Sequence, residues 1–397
     1  MTFRDAARQG IAILADDLTS AGDGAAPFRQ AGHDARILLS APADVPRHAV
    51  GVSAVDLGTR VLDEEAAAAR TERAAHLFAG SALLFKTVDS TLRGHVAAEV
   101  RAAWAGSRRR AVVIAPAFPA EGRVTVKGVQ YVRGVPVHES DYARDPVHPV
   151  RCSDLATLFP EAAPAQPEQA AELPELVSSG GLIVCSAAED RDLDRLVATV
   201  PRPDEVLWVG SPGLAAALAR RCARTTGGPA SLPPTSRRPL IVVGSTNPAT
   251  RRQLAELRTR SDVQGVTVDV DPAPALETLR GLTAPVLTLQ TPDERHTPQT
   301  AQLLARSQAA VVRALAEHHT VDALIVTGGE TATTVLQPLG ATGIDLTDEP
   351  EPGVVRGSLT GPLPLPVLIK AGGFGDDALL LRLSHLVRQR LDPGEHA

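Results

Sequence analysis

The stretch ALLFKTVDSTLRGH, residues 82–95, changes character part-way along. Residues 82–85 are apolar, as a strand covered on both faces requires. Lys86 and Asp89 follow, then Ser90 and Thr91, whose hydroxyls suit capping the free N–H groups of a helix. An amphipathic helical pattern over 95–105 comes next. Strand, charged turn and helix make up the βα unit of a parallel sheet. The charges then sit at the strand's carboxyl end, where open α/β sheets bind ligands. The lysine is unusual in this chain. Of 40 lysines and arginines, only Lys86, Lys127 and Lys370 are lysines.

Working outward, the same alternation recurs. IAILADD (11–17), ARILLS (35–40) and VGVSAVD (50–56) precede the stretch, and a helical pattern covers 63–79. AVVIAPAF (111–118), GLIVCSA (181–187) and VLWVGSPG (206–213) follow it. VTVKGVQYVRGVPV (124–137) alternates and contains Gly128 and Gly134, which predicts a hairpin on the edge of the same sheet. Residues 153–178, rich in Ala, Pro and Glu, read as irregular surface chain. TTGGPASLPPTSRRP (225–239) has the composition of a linker. A second series then begins: PLIVVGS (239–245), VTVDV (266–270), PVLTLQ (285–290), ALIVTGG (323–329) and PVLIKAGGFG (366–375), with a long helix over 298–318. The expected architecture is two α/β domains with mostly parallel sheets, 1–232 and 233–397, and an active site in the cleft between them.

Composition narrows the function. A chain of 397 residues exceeds one ordinary domain. Its 44% hydrophobic content supports sizeable cores, and 3% aromatics means that Ala, Val and Leu build them. Scarce aromatics and a net charge of −6 argue against a nucleic-acid partner. Cys152, Cys185 and Cys222 are far apart, with neither metal spacing nor a disulfide framework. No run approaches the roughly 18 apolar residues of a membrane span, and the N-terminus MTFRDAARQG lacks a signal-type apolar core. A soluble cytoplasmic protein is expected, and apolar helical faces leave a homodimer open.

Each strand end hands over chemistry. The first domain delivers Asp16 and Asp17, then Lys86, Asp89, Ser90 and Arg93, then Pro116 and Phe118 leading to Arg123. Such a set suits a small polyhydroxy acid. Arg93 or Arg123 can grip a carboxylate in a bidentate way, and aspartates accept hydroxyl hydrogen bonds. The second domain delivers glycines: Gly244-Ser245-Thr246, then Thr327-Gly328-Gly329-Glu330-Thr331, then Ala371-Gly372-Gly373-Phe374-Gly375. Glycine lets backbone N–H groups approach phosphate oxygens, and a following helix adds its dipole. Neither GxxxxGK[ST] nor GxGxxG is present. Charged groups for an acid and a cradle for phosphates together point to phosphoryl transfer. Plainer readings stand beside this one: Lys86–Asp89 as a surface ion pair, Asp16–Asp17 as helix N-terminal acids, Lys127 as an ordinary hairpin residue, and the Gly turns as ligand-free connections. So do a dehydrogenase or isomerase acting on a small hydroxy acid, and a non-catalytic sugar-acid sensor.

With these residues in hand, the chain resembles the four-carbon acid sugar kinase family. The matching stretches are LADDLTSAGD (14–23), KTVDSTLRGH (86–95), PAFPAEGRVTVKGVQYVRGVPVHES (116–140), VVGSTNPATRRQL (242–254), TGGETATTVLQPLG (327–340) and KAGGFGDD (370–377). The family usually has Gly where this chain has Ser20, Asn where it has His95, and KSGNFG where it has KAGGFG. The resemblance implies ATP-dependent phosphorylation of a terminal hydroxyl on a tetronate-type or branched acid sugar. The N-terminal domain would bind the acid, with Asp16, Lys86, Asp89, Arg93 and Arg123 lining its site beside Ser90. The C-terminal domain would bind ATP through Ser245, Gly328, Gly329, Glu330, Thr331 and Gly373, with Gly372 in the same turn. Arg93 or Lys86 would fix the carboxylate, and Asp17 or Asp16 would accept the hydroxyl proton. Mg²⁺ would bridge the phosphates, with Glu330 orienting its waters.

Overall fold

The computed structural model describes residues 1–41, 51–145, 148–224, 235–294 and 296–388. The chain divides into two compact units, Met1–Pro229 and Ala230–Ala397. Most of the expected linker, residues 225–234, lies outside the described residues.

In the first unit the strands are β1 (Ile11–Ala15), β2 (Ala35–Leu38), β3 (Val52–Asp56), β4 (Leu83–Thr87), β5 (Ala111–Ala115), β6 (Arg123–Val126), β7 (Val129–Val132), β8 (Val135–Pro136), β9 (Ala163–Ala165), β10 (Gly181–Cys185) and β11 (Val206–Gly210). The main sheet runs β2-β3-β1-β4-β11-β5-β10-β9, and every neighbouring pair is parallel. Strands β1, β4, β5 and β11 are buried throughout, which fits their largely apolar runs, with Lys86 and Thr87 of β4 the polar exceptions. The chain builds outward from β1 to one side, then resumes with β4 on the other. The connections leaving β1 and β4 therefore diverge and open a crevice at the strands' carboxyl ends. The helix Leu18–Gln30 lies close on this part of the sheet. A Cβ at its Gly24 would stand 2.9 Å from Thr87 Cγ2 and 3.0 Å from Ile13 Cγ2.

Three expectations for this unit are corrected. The hairpin residues form their own antiparallel sheet, β6-β7-β8, rather than an edge of the main sheet. Tight turns at Lys127-Gly128 and Arg133-Gly134, all at positive φ, fold the segment on itself. Residues 153–178 are ordered: a helical turn at Leu155–Leu158, the edge strand β9 and a helix at Leu173–Ser179, with Leu155, Phe159 and Leu173 buried. Pro164 disguised β9, yet an edge strand tolerates a residue without an N–H. Ser90 and Thr91 do not cap the next helix. It starts at Val96, with His95 at the N-cap position and no side-chain cap. Leu92 and Gly94, both at positive φ, hold the intervening turn open.

In the second unit the strands are β12 (Pro239–Val243), β13 (Val263–Thr267), β14 (Val286–Gln290), β15 (Ala323–Thr327), β16 (Gly343–Glu351), β17 (Val354–Thr360) and β18 (Pro366–Lys370). The order is β13-β14-β12-β15-β18-β17-β16. The first five are parallel, and β17 and β16 add antiparallel. The β16–β17 ribbon escaped the sequence reading because Asp345, Asp348, Glu349 and Glu351 mask the buried Ile344, Leu346, Val354 and Leu359. The chain winds to one side of β12 for β13 and β14 and to the other for β15 and β18, so this sheet too has a crevice at its strands' carboxyl ends, at Gly244–Asn247 and Gly328.

Candidate functional site

Asp16 and Asp17 follow β1 directly. Asp17 caps the helix Leu18–Gln30: its Oδ1 accepts from Ser20 N at 2.7 Å and from Thr19 Oγ1 at 2.9 Å. Its Oδ2 lies 2.7 Å from Arg60 Nη1. Asp16 is 4% exposed. Arg60 donates to its Oδ2 from Nε at 2.8 Å, with Nη2 at 2.7 Å, while Oδ1 is buried without a hydrogen-bond partner. Burial alone would raise the Asp16 carboxyl. The Arg60 guanidinium and the Lys86 ammonium outweigh it and hold the group below the usual carboxylate range.

Lys86 is 1% exposed, and its Nζ sits 2.8 Å from Glu99 Oε2 and 2.8 Å from the Thr87 carbonyl. The surface pair with Asp89 is therefore not what forms; the partner is a buried glutamate on the following helix. Asp89 instead accepts from Thr91 N at 3.0 Å and from Arg93 Nε. Burial pushes its carboxyl up, but Arg93, Arg60 and that N–H bring it down to about 2. Arg93 also reaches Asp145 Oδ2 at 3.4 Å and lies over the Tyr142 ring, 5.3 Å from its centroid. Its Nη2 has no hydrogen-bond partner among the described residues. Arg123, on β6, donates from Nη1 to Ser90 Oγ at 2.9 Å. Asp16, Asp17, Lys86, Asp89, Ser90, Arg93 and Arg123 thus occupy neighbouring connections at one end of the first sheet.

The glycine turns of the second unit also converge. Gly328, at φ +88°, is the N-cap of the helix Gly329–Leu336 and supplies no side-chain cap, which leaves first-turn N–H groups for a ligand. A Cβ at Gly328 would lie 3.7 Å from Thr331 Oγ1 and 3.8 Å from Ser245 Cβ. One at Gly372 would lie 3.2 Å from Ser245 Oγ, and one at Gly373 3.6 Å from Asn247 Nδ2. Glu330 stands exposed in the first turn of the helix. Among the described residues, no group of three or more His, Cys, Asp or Glu side chains is placed to hold a metal ion.

Comparison with known proteins meets this geometry. A sugar-binding N-terminal domain model matches residues 11–218, and a nucleotide-binding C-terminal domain model matches 240–380. The chain is 36% identical to D-threonate kinase of Bordetella bronchiseptica, over 96% of this chain and 98% of that one. The chain belongs to the four-carbon acid sugar kinase family. D-threonate kinase of Cupriavidus necator is 34% identical, over 93% of this chain and 95% of the relative. D-erythronate and 3-oxo-tetronate kinases match at 27% and 28% identity. A crystal structure of a Haemophilus influenzae protein shares the fold, with a TM-score of 0.74 at 21% identity, covering 95% of this chain and all of that one.

Three further residues beside these positions were not foreseen. Arg60, which binds both aspartates, follows β3 by four residues, beyond the last residue of its apolar run. Arg251 donates to the Ser245 carbonyl at 2.8 Å and to the Thr291 carbonyl at 2.9 Å, fixing the β12 turn. Lys370, fully buried, donates to Ala371 O at 2.9 Å, Gly372 O at 3.1 Å and Thr250 Oγ1 at 3.2 Å. Burial lowers its ammonium to about 8. Gln253 adds bonds to Phe374 O and Asp376 O, each at 2.9 Å. The carbonyls of the last glycine turn are thereby drawn toward protein donors. In a lysine-poor chain, Lys370 at a strand's carboxyl end was the available signal.

Proposed function

We propose that this kinase transfers the γ-phosphoryl group of ATP to the terminal hydroxyl of a four-carbon acid sugar, with D-threonate the first substrate to test. The acid binds in the first domain, 1–232, and ATP in the second, 233–397. The observation that carries the reading is the buried, unpartnered Oδ1 of Asp16, a carboxylate that Arg60 and Lys86 hold below its usual range. Three relatives at 30% identity or more, each over at least 93% of this chain, are D-threonate kinases, which supports that stereochemistry.

Arg93 takes the substrate carboxylate, since Lys86 is buried against Glu99. Asp16 rather than Asp17 receives the terminal hydroxyl, because both Asp17 oxygens are engaged. As the hydroxyl oxygen bonds to the γ-phosphorus, its proton passes to Asp16 Oδ1 and the bond to the β-bridging oxygen breaks, releasing ADP. Ser245, Thr331 and the turns at 328–329 and 372–373 cradle the phosphates. Glu330, exposed in the first turn of the helix after Gly328, would orient waters of a Mg²⁺ ion bound with the phosphates. When bound, the ion supplies neutralisation of phosphate charge.

A coupled ADP-release assay over D- and L-threonate, D-erythronate, 3-oxo-tetronate and branched tetronates tests the reading. ADP formed in step with phosphorylated acid is expected, with the highest kcat/KM on D-threonate. No ADP with any of these acids, in the presence of ATP and Mg²⁺, would refute it. That outcome would return the dehydrogenase and sensor readings to the front.

A further inference from the structure

Arg60 occupies a place that no sequence motif marked. Its Nε and Nη2 hold Asp16 Oδ2, its Nη1 holds Asp17 Oδ2, and Nη2 also donates to Ser20 Oγ at 3.1 Å. At least four of its five N–H donors are thus spent on protein acceptors, so it is a poor direct ligand for a substrate carboxylate. Its own segment is held firmly. Leu57 N donates to Ala15 O at 2.9 Å, and Arg60 N to Asp16 O at 3.2 Å. The Arg60 carbonyl accepts from His148 Nε2, and the Leu62 carbonyl accepts from His95 Nε2 at 2.7 Å. Arg70 Nη1 bonds the Leu57 carbonyl at 2.9 Å.

We infer that Arg60 is a positioning residue: it clamps Asp16 and Asp17 together, and by occupying Asp16 Oδ2 it turns Oδ1 toward the substrate hydroxyl. The inference deepens the kinase reading and rests on it. A bidentate guanidinium is what the task needs, because two adjacent carboxylates must both be neutralised at fixed angles. The charged groups facing Asp16 are Arg60 from the segment after β3, Lys86 from β4 and Asp89 from the turn after β4, with Asp17 its chain neighbour. Lys86 is already shared with Glu99, and Asp89 with Arg93. Without Arg60, Asp16 loses its main cation and keeps its burial.

The test compares wild type with Arg60→Gln and Arg60→Lys by two readouts. Aspartate labelled with ¹³C at the carboxyl, with Asp16 assigned by its Asn variant, reports the Asp16 titration without substrate. In Arg60→Gln the titration is expected to rise by about one unit or more, and the acid limb of kcat/KM to rise with it. The kcat/KM for the acid sugar should fall about a hundredfold, with KM for ATP unchanged. Arg60→Lys restores a charge but not the fork, so it should recover part of the titration and little of the kcat/KM. An unmoved Asp16 titration, or an acid kcat/KM within tenfold of wild type, overturns the inference. Should Arg60→Gln fail to fold by its thermal melt, the same two criteria apply to Arg60→Lys. If wild type phosphorylates no tetronate, the kinase reading fails, and the titration alone decides whether Arg60 sets the ionisation of Asp16.

Discussion

Replacing Arg93 with alanine separates a structural role from a substrate-binding one. The scale of its structural share can be gauged from Asp89, the buried carboxylate it pairs with. Together, the partners of Asp89 overcome burial and bring the group from 3.8 to about 2. At 1.36 kcal/mol per unit, that displacement corresponds to roughly 2 kcal/mol. Arg93 is the largest favourable contributor, but Arg60 and the Thr91 N–H remain in the variant. The Arg93 side chain is 31% exposed, so solvent screens part of its effect. Arg93→Ala should therefore cost on the order of 2 kcal/mol and stay folded, with a drop in Tm. Losing a charged contact to the substrate carboxylate is a larger matter, about 2–4 kcal/mol in a site that excludes water, or about 10²–10³ in rate. Initial rates with varied tetronate at saturating ATP, and the converse, measure the split. The kcat/KM for the acid should fall about 10²–10³-fold while nucleotide affinity is unchanged. A fall below tenfold, or an equal loss of ATP affinity, would refute the assignment of Arg93 to the carboxylate.

Other outcomes follow from the same geometry. Glu99→Gln strips the buried Lys86 of its counter-ion and should destabilise by about 3 kcal/mol or more. Urea unfolding would read this, and Lys86→Met in the same chain should recover part of the loss. Asp16 and Asp89 titrate below their unfolded values, so they contribute stability above about pH 4 that is lost as pH falls through their folded values, to about 2 for Asp89. Tm followed from pH 5 to pH 2 should drop across that window, and less steeply in Asp89→Asn. Lys370→Met frees the Ala371 and Gly372 carbonyls from their shared donor and should raise KM for ATP about tenfold or more, leaving KM for the acid sugar unaltered.

Much of this molecule can be read from strand ends alone. Apolar runs such as IAILA and ALLFK announce strands buried on both faces, and whatever follows them lies at the binding edge. Asp16, Asp89, Arg93, Ser245, Gly328 and Gly372 were singled out this way, and each follows a strand of the structure. Arg60 was overlooked although β3 is an equally clear strand. Its importance lies in bonds to Asp16 and Asp17, more than forty residues earlier, which no local pattern encodes. Lys86 carried a genuine signal, a lysine among arginines, but its buried partner is Glu99, a turn into the next helix. The β16–β17 ribbon and β9 went unseen for opposite reasons, one by acidic residues on its open face and the other by a proline at a sheet edge. Ser90 and Thr91 looked like helix caps, but Leu92 and Gly94 delay the helix to Val96.

The most direct test of the account is a crystal structure with D-threonate and a non-hydrolysable ATP analogue bound together. The carboxylate is expected on Arg93, the terminal hydroxyl within hydrogen-bond distance of Asp16 Oδ1, and the triphosphate against Ser245, residues 328–331 and residues 372–373. A triphosphate bound away from those glycine turns, or a threonate whose hydroxyl end points away from Asp16, would contradict it.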